Sequence, residues 1–406
     1  MKIRFRKIDW ALIAILFLLL ISGVVAIYSA STTRIGQELV TENYYLKQFI
    51  WIIISLVLLV FLFQIPSAII DFLIVPVYLF SLLLLLAVLF LPEVKGAHRW
   101  IQLGFLNIQP SEIAKIATIL LLAKLLAKPH LTEKQILFRS FPVTLIPVIL
   151  ILMEPDLSTS LVFFVIMFAI LAASDLPNFY LLLMFSPLIS MITSFNLVLF
   201  LICLLLIIIL LYKSRLSTIT ISFVAVINVF IFIITPVLWG QLRPYQQNRI
   251  LTFIDPLRDP FGAGYQIIQS KIAIGSGRVL GKGFLAGTQK NLKFLPEHHT
   301  DFIFSVLGEE FGFLGCLIIL ILFFLLLYRL SRCVNKLKVS ENRFAAVGIL
   351  SYLSFQIFVN IGMNAGIVPA TGIPLPFISY GGSNLIINVL AIGLILKALH
   401  ERSIFE

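Results

Sequence analysis

The sequence predicts an all-α, polytopic membrane protein, and three observations carry that prediction. Of 406 residues, 60% are hydrophobic and only 12% are charged, about half the charge of a soluble globular domain. The apolar residues suffice for about a dozen spans, since a membrane helix takes roughly 20. Lys and Arg gather in alternate connections between the apolar runs, as expected for a chain threaded through a bilayer. So little charge cannot cover a water-facing surface. A cytosolic enzyme, a disordered protein and a nucleic-acid binder are therefore excluded, despite a net charge of +11.

Hydropathy places spans at about 10–30, 47–65, 71–91, 111–127, 141–153, 157–173, 179–194, 197–212, 216–239, 302–328, 344–366 and 379–399. The first follows Lys2, Arg4, Arg6 and Lys7 and is too long for a signal segment, so it reads as a membrane helix. With the N-terminus in the cytoplasm, inner connections hold seventeen Lys and Arg, whereas short outer segments hold five (Arg34, Lys47, Lys95, Arg99 and Lys115). The positive-inside rule then puts both termini in the cytoplasm. Cys203, Cys316 and Cys333 imply no disulfide framework. The chain reads as one integral membrane domain, 1–406, with a long extracytoplasmic loop at 240–301. A connection of that length is usually functional. Within it Tyr265, Ile268 and Ile272 recur at helical spacing opposite Gln266, Gln269 and Ser270, which predicts a short helix on the membrane surface.

Several constellations could carry chemistry, and each has a plainer reading. Pro296-Glu297-His298-His299-Thr300-Asp301 stands directly before the run from Phe302. Thr300 or Asp301 suits a helix N-cap, but a carboxylate where a lipid headgroup is presented also suits a general base. His298 and His299 lack a defined third ligand and are weak evidence for a metal. Glu154-Pro155-Asp156 follows a run of only about thirteen residues, roughly 20 Å as a helix. Both acids are therefore expected in a recess, where ionisable groups are by default functional; the plain alternative is a solvated turn.

The segment Lys95–Ile101 contains Arg99 and Trp100, and Gln109–Lys115 follows it. Pro110 fits the first turn of a helix. Glu112 and Lys115, three apart, are neighbours on one face. The plain reading is an interfacial Trp and an ordinary ion pair. Arg243 and Arg249 precede two Asp-Pro turns and could grip phosphate or anchor the loop to headgroups. In the glycine-rich stretch 275–283, Leu280 and Gly283 stand where nucleotide fingerprints need Gly and Ser or Thr. That predicts a flexible loop and no nucleotide site. Asn360 and Asn364 share a helix face, and Gly381-Gly382 permits a kink or close helix contact at the last span.

Taken in order, these motifs resemble the SEDS family (shape, elongation, division and sporulation). Gly96–Ile101, Pro110–Lys115, Glu154–Leu157, Arg243–Pro260, Gly287-Thr288-Gln289, Phe294–Glu310 and Asn360–Ser383 occur in the family's order. Gly-Thr-Gln and Glu-Pro-Asp-Leu are closer to its rod-shape branch than to its division branch. The resemblance implies a SEDS (GT-C-like) fold and a peptidoglycan glycosyltransferase for cell elongation and shape. Such an enzyme polymerises lipid II at the outer face of the bacterial cytoplasmic membrane, releasing undecaprenyl diphosphate. It also implies a class B penicillin-binding protein as partner, with other membrane proteins of the elongation machinery.

The family's loop aspartate falls on Asp301, beside His299 and Thr300, and its tryptophan on Trp100. Its Ser-Glu-x-x-Lys pair falls on Glu112 and Lys115, and its Glu-Pro-Asp turn on Glu154 and Asp156. Asp301 is then the base, with Arg99, Lys115, Arg243 and Arg249 as candidate pyrophosphate partners. The acids exceed what one base requires, which leaves room for a divalent cation, Mg or Mn, and no nucleotide is needed. Ser158 and Arg278 replace frequent family glycines. The family usually has ten helices, so the surplus is expected at 179–212. Two other readings are a flippase for the same lipid and a scaffold for cell-wall synthases. A transporter places its site at the midplane between repeated halves, and no repeat is evident. A scaffold leaves the recessed acids unexplained.

Overall fold

The computed structural model describes residues 9–35, 38–92, 98–103, 106–174, 176–214, 217–242, 247–248, 251–253, 255, 258, 264–288 and 299–405. Each of the twelve apolar runs forms a helix. They are α1 (Trp10–Ser31), α2 (Tyr44–Gln64), α3 (Ser67–Val88), α4 (Pro110–Leu126), α5 (Glu133–Met153), α6 (Leu157–Ala173), α7 (Asn178–Thr193), α8 (Leu197–Lys213) and α9 (Thr218–Gln241). After α10 (Tyr265–Ser276), in the long connection, come α11 (Ile303–Lys336), α12 (Ser340–Ala365) and α13 (Gly382–Phe405). Eight of these are long and apolar enough to cross a membrane. Two small antiparallel hairpins interrupt the helices: β1 (Thr32–Ile35) with β2 (Glu38–Thr41), and β3 (Ile101–Leu103) with β4 (Leu106–Ile108). Strands of three or four residues are too short for period-two alternation to announce them.

One apolar core joins α1, α4, α6, α11, α12 and α13 through residues such as Leu19, Ile119, Ile170, Leu326, Tyr352 and Ile392. Against α13 lies α2, and glycines set how close it comes. A Cβ on Gly382 would meet Trp51 at 2.1 Å, and one on Gly393 would meet Leu59 at 2.3 Å. This is the close contact expected of the Gly-Gly pair, with small residues letting helices approach. Helices α7, α8 and α9 stand apart. They enclose Ile207, Leu211 and Val224 and reach the rest chiefly through α6. Inside the trio, Ser190 donates to Asn228 at 2.6 Å, and Asn228 donates to Ser186 at 2.9 Å. The segment 179–212, where the surplus pair is expected, forms α7 and α8 of this lobe.

Two expectations need correction. The apolar run 141–153 is only the second part of α5, which starts at Glu133 under a Thr132–Gln135 capping box. Arg139 lies within the helix and donates to the Leu125 carbonyl at 3.2 Å. The whole helix has 21 residues, roughly 30 Å, so a short span does not recess Glu154 and Asp156. Packing buries them instead. In α10, the buried stripe is Ile267, Ser270 and Ala273, not Tyr265, Ile268 and Ile272. Ile272 is exposed. The helix packs on α11 and α12, and a Cβ on Gly277 would meet the Gly308 carbonyl at 1.9 Å. Small residues at these positions let α10 seat on protein rather than lie free on the surface.

The polar connections sort to two ends. One holds the ion pairs Lys124–Asp71 at 2.7 Å and Arg329–Asp9 at 3.7 Å. The other holds both hairpins, the turn 154–156, α10 and the connection 366–381.

Candidate active site

Asp301 lies in the turn His299–Phe302 that leads into α11. Phe302, rather than Thr300 or Asp301, occupies the N-cap of that helix. Three successive backbone carbonyls are held from across the bundle. Asp301 O accepts from Asn360 Nδ2 and Asn364 Nδ2, both at 3.0 Å. Thr300 O accepts from Ser379 Oγ at 2.6 Å, and His299 O accepts from the Tyr380 N–H at 3.0 Å. The His299 ring stacks on Tyr44 at 4.3 Å with a 14° interplanar angle. Gly372, at φ +74°, lies beside the carboxylate; a Cβ there would stand 3.4 Å from Asp301 Oδ2. Asp301 is thus clamped at the backbone, with its side chain half-buried at the end of the bundle.

Arg99 stitches the Glu-Pro-Asp turn. Its Nη2 donates to the Pro155 carbonyl at 2.6 Å, and its Nε lies 3.5 Å from Asp156 Oδ2. Asp156 also caps α6, accepting from the Thr159 N–H at 3.1 Å and its hydroxyl at 2.9 Å. Glu154 is buried, and its Oε1 has no partner among the described residues. Burial, reinforced by the neighbouring Asp156 charge and opposed by Arg99, pushes the Glu154 carboxyl up to about 8. Trp100, half-buried, adjoins Arg99 just before β3.

Pro110 opens α4, and Glu112 in the first turn lies at the favourable positive end of the helix. Lys115 Nζ meets Glu112 Oε2 at 2.8 Å, and both side chains are buried. Asn384 donates to Glu112 at 3.2 Å, Asn388 to Asn384 at 2.8 Å, and the Tyr352 hydroxyl to Asn388 at 3.1 Å. Lys115 Nζ lies 5.4 Å from the Tyr352 ring centroid, which closes a ring of five residues. The structure thus places Lys115 inside the bundle, paired, rather than on an open face. Sequence reasoning missed Tyr352 and Asn388, although polar side chains within apolar spans are a functional signal. Arg243, Arg249 and His298 lie outside the described residues.

The glycine-rich stretch is not the flexible loop expected of it. Helix α11 breaks at Gly312 (φ 64°, ψ −161°), and residues 278–283 dock into the break. The N–H groups of Lys282 and Gly283 donate to the Glu309 and Glu310 carbonyls, both at 3.0 Å. Phe313 and Leu314 N–H donate to the Arg278 and Val279 carbonyls at 2.8 and 3.1 Å. Backbone groups released by the break are thereby paired again, as buried backbone requires. Glu309 Oε1 accepts from Lys282 Nζ at 2.6 Å and from Thr288 N–H and hydroxyl at 2.8 and 2.7 Å. Ser29 donates to Glu310 at 2.5 Å. Neither glutamate is singled out by spacing, because their partners lie far away in sequence.

A divalent cation needs a set of donors. Among the described residues no three His, Cys, Asp or Glu side chains gather for one. Glu112, Asp156 and Glu309 are each engaged with a cation of the chain itself.

An all-α bundle with its clamped carboxylate, buried ion pairs and docked loop at one end defines a multi-pass membrane protein with a one-sided site. The family model described as cell cycle protein, for FtsW, RodA and SpoVE, matches residues 9–201 and 178–404; the chain belongs to this family. The peptidoglycan glycosyltransferase MrdB of Escherichia coli K12 is 38% identical over 405 residues, 98% of this chain and 95% of its own. The probable peptidoglycan glycosyltransferase FtsW of Haemophilus influenzae is 33% identical over 407 residues, 98% of this chain and 92% of its own. A chain from a peptidoglycan synthase complex superposes with a TM-score of 0.73 at 31% identity, covering 98% of this chain and 99% of that one. The rod shape determining protein RodA of Thermus thermophilus gives 0.64 at 26% identity, covering 98% of each.

Proposed function

We propose that this peptidoglycan glycosyltransferase polymerises lipid II by an inverting transfer, with Asp301 as the base. The observation that carries the reading is the clamp on Asp301. Its backbone is fixed by Asn360 and Asn364, with the half-buried side chain at the end of the bundle that holds the connection 366–381. In the reaction, the 4-hydroxyl of the acceptor sugar attacks the anomeric carbon of the donor. A new C–O bond forms as the bond to undecaprenyl diphosphate breaks, and the α-linked donor becomes a β-linked glycan. The hydroxyl proton passes to Asp301, as general base catalysis requires. Charge growing on the departing diphosphate needs cations. Arg99 retains partial exposure while holding the turn, and Lys115 would have to leave Glu112 to serve. Arg243 and Arg249 remain candidates from the loop. Trp100, Glu154, His299 and Thr300 are read as substrate contacts.

The Lys and Arg bias supports cytoplasmic termini, with the Asp301 end facing outward across the bacterial cytoplasmic membrane. A class B penicillin-binding protein is the proposed partner. The synthase-complex relative is described as coordinating polymerization and crosslinking, and crosslinking is a transpeptidase reaction. Other elongation-machinery membrane proteins would join them.

The test is reconstitution of the full chain with its transpeptidase in liposomes carrying lipid II, with glycan read on a gel. Wild type is expected to make polymer, and Asp301→Asn to lose at least about 100-fold in rate, the scale of a general base. Equal polymer from Asp301→Asn would sink the assignment. Lipid scrambling without any polymer from the folded wild-type complex would favour the flippase.

A further inference from the structure

We infer that Asn364, backed by Ser305 and Ser270, is a positioning residue for Asp301; this rests on the reading of Asp301 as the base. Asn364 lies in the last turn of α12 and has no exposed surface, as do Asn360, Ser305 and Ser270. Every hydrogen-bonding position of its side chain is used. Its Nδ2 donates to the Asp301 carbonyl at 3.0 Å and to the Asn360 carbonyl at 2.9 Å. Its Oδ1 accepts from the Ser305 N–H at 3.2 Å and from the Ser305 hydroxyl at 2.5 Å. Ser270 donates to the Asn364 backbone carbonyl at 2.7 Å and lies 2.5 Å from Ser305 Oγ. An amide has two donors and one oxygen with two lone pairs, so this one has a single orientation that satisfies all of them.

The direction of the network matters. One end is anchored on α10 by Ser270, its middle on α11 by Ser305, and its far end grips the peptide that bears Asp301. Asn360 Nδ2 holds the same carbonyl while donating to Ile373 O at 2.7 Å. Two amide donors on one carbonyl fix the plane of that peptide, and with it the direction in which the Asp301 side chain leaves the backbone. Apolar side chains could join three helices equally well, since buried polar groups hold no general advantage in stability. They could not orient a carbonyl. The network therefore carries angular information to the base, and a base displaced by about 1 Å loses rate steeply.

Asn364→Val, Ser305→Ala and Asp301→Asn in the full chain, reconstituted with its transpeptidase and lipid II, test this. Asn364→Val is expected to lower kcat about 10- to 100-fold with KM for lipid II nearly unchanged, and to move the acid limb of the pH–rate profile. Ser305→Ala, which frees Asn364 without touching Asp301, should shift both in the same direction by less. On an Asp301→Asn background, Asn364→Val should add nothing to the loss. Wild-type kcat and pH profile in Asn364→Val, with only a lower unfolding temperature, would overturn the proposal and leave Asp301 as base. If Asn364→Val fails to fold, a wild-type pH profile in Ser305→Ala overturns it equally. Full activity in Asp301→Asn would instead remove the base, and the proposal with it.

Discussion

Lys115 carries its charge among apolar helices only because Glu112 stands 2.8 Å away. Such a pair is costly to form and costlier to break, since the survivor keeps a buried, uncompensated charge. Lys115→Met is expected to destabilise the protein by about 3–5 kcal/mol, read as a fall in unfolding temperature. The double exchange Glu112→Gln with Lys115→Met should recover part of that loss. Glu154 gives a pH signature of its own. Its carboxyl titrates at about 8 in the fold against an ordinary 4.5, so the folded state keeps a proton that the unfolded chain releases. The stabilisation is full below about pH 4.5, declines as pH rises, and is gone above about 8. Glu154→Gln should flatten that decline in a series of unfolding temperatures across the same range.

At the scale of elements, the break in α11 is what keeps the long connection in place. Gly281 sits at φ +81°, and a Cβ there would strike the Glu310 carbonyl at 2.1 Å. Gly281→Ala should cost at least roughly 1–3 kcal/mol from left-handed backbone alone. The expected outcome is faster proteolysis within 264–288 together with lower polymerisation. The helices themselves were legible in the sequence because a dozen spans use nearly all the apolar residues. The start of α5 was not, since Glu133, Lys134 and Arg139 end the apolar run while the helix continues through them. The break at Gly312 was not either. It lies in a stretch that reads as unbroken helix, and its backbone partners come from 278–283, whose pairing exists only in three dimensions. The face shared by Asn360 and Asn364 was visible, but Ser305 and Ser270, which complete it, come from two other elements.

For the molecule as a whole, the division into two ends makes orientation testable. Ile367, in the connection before α13, and Val339, between α11 and α12, are both well exposed. The native Cys316 and Cys333 are buried and Cys203 is partly so, which keeps background labelling low. In intact cells, a membrane-impermeant maleimide is expected to label Ile367→Cys and to spare Val339→Cys until the membrane is opened. The reverse pattern would invert the assignment of sides. The α7–α9 lobe marks the side on which such a bundle has room to enlarge. It encloses its own serine–asparagine knot and borders the main body mainly at α6. New helices placed there demand no rearrangement around Asp301. Because a single added crossing would turn every later connection to the opposite side, growth at this margin is confined to hairpins. Evolution at that edge must count in twos.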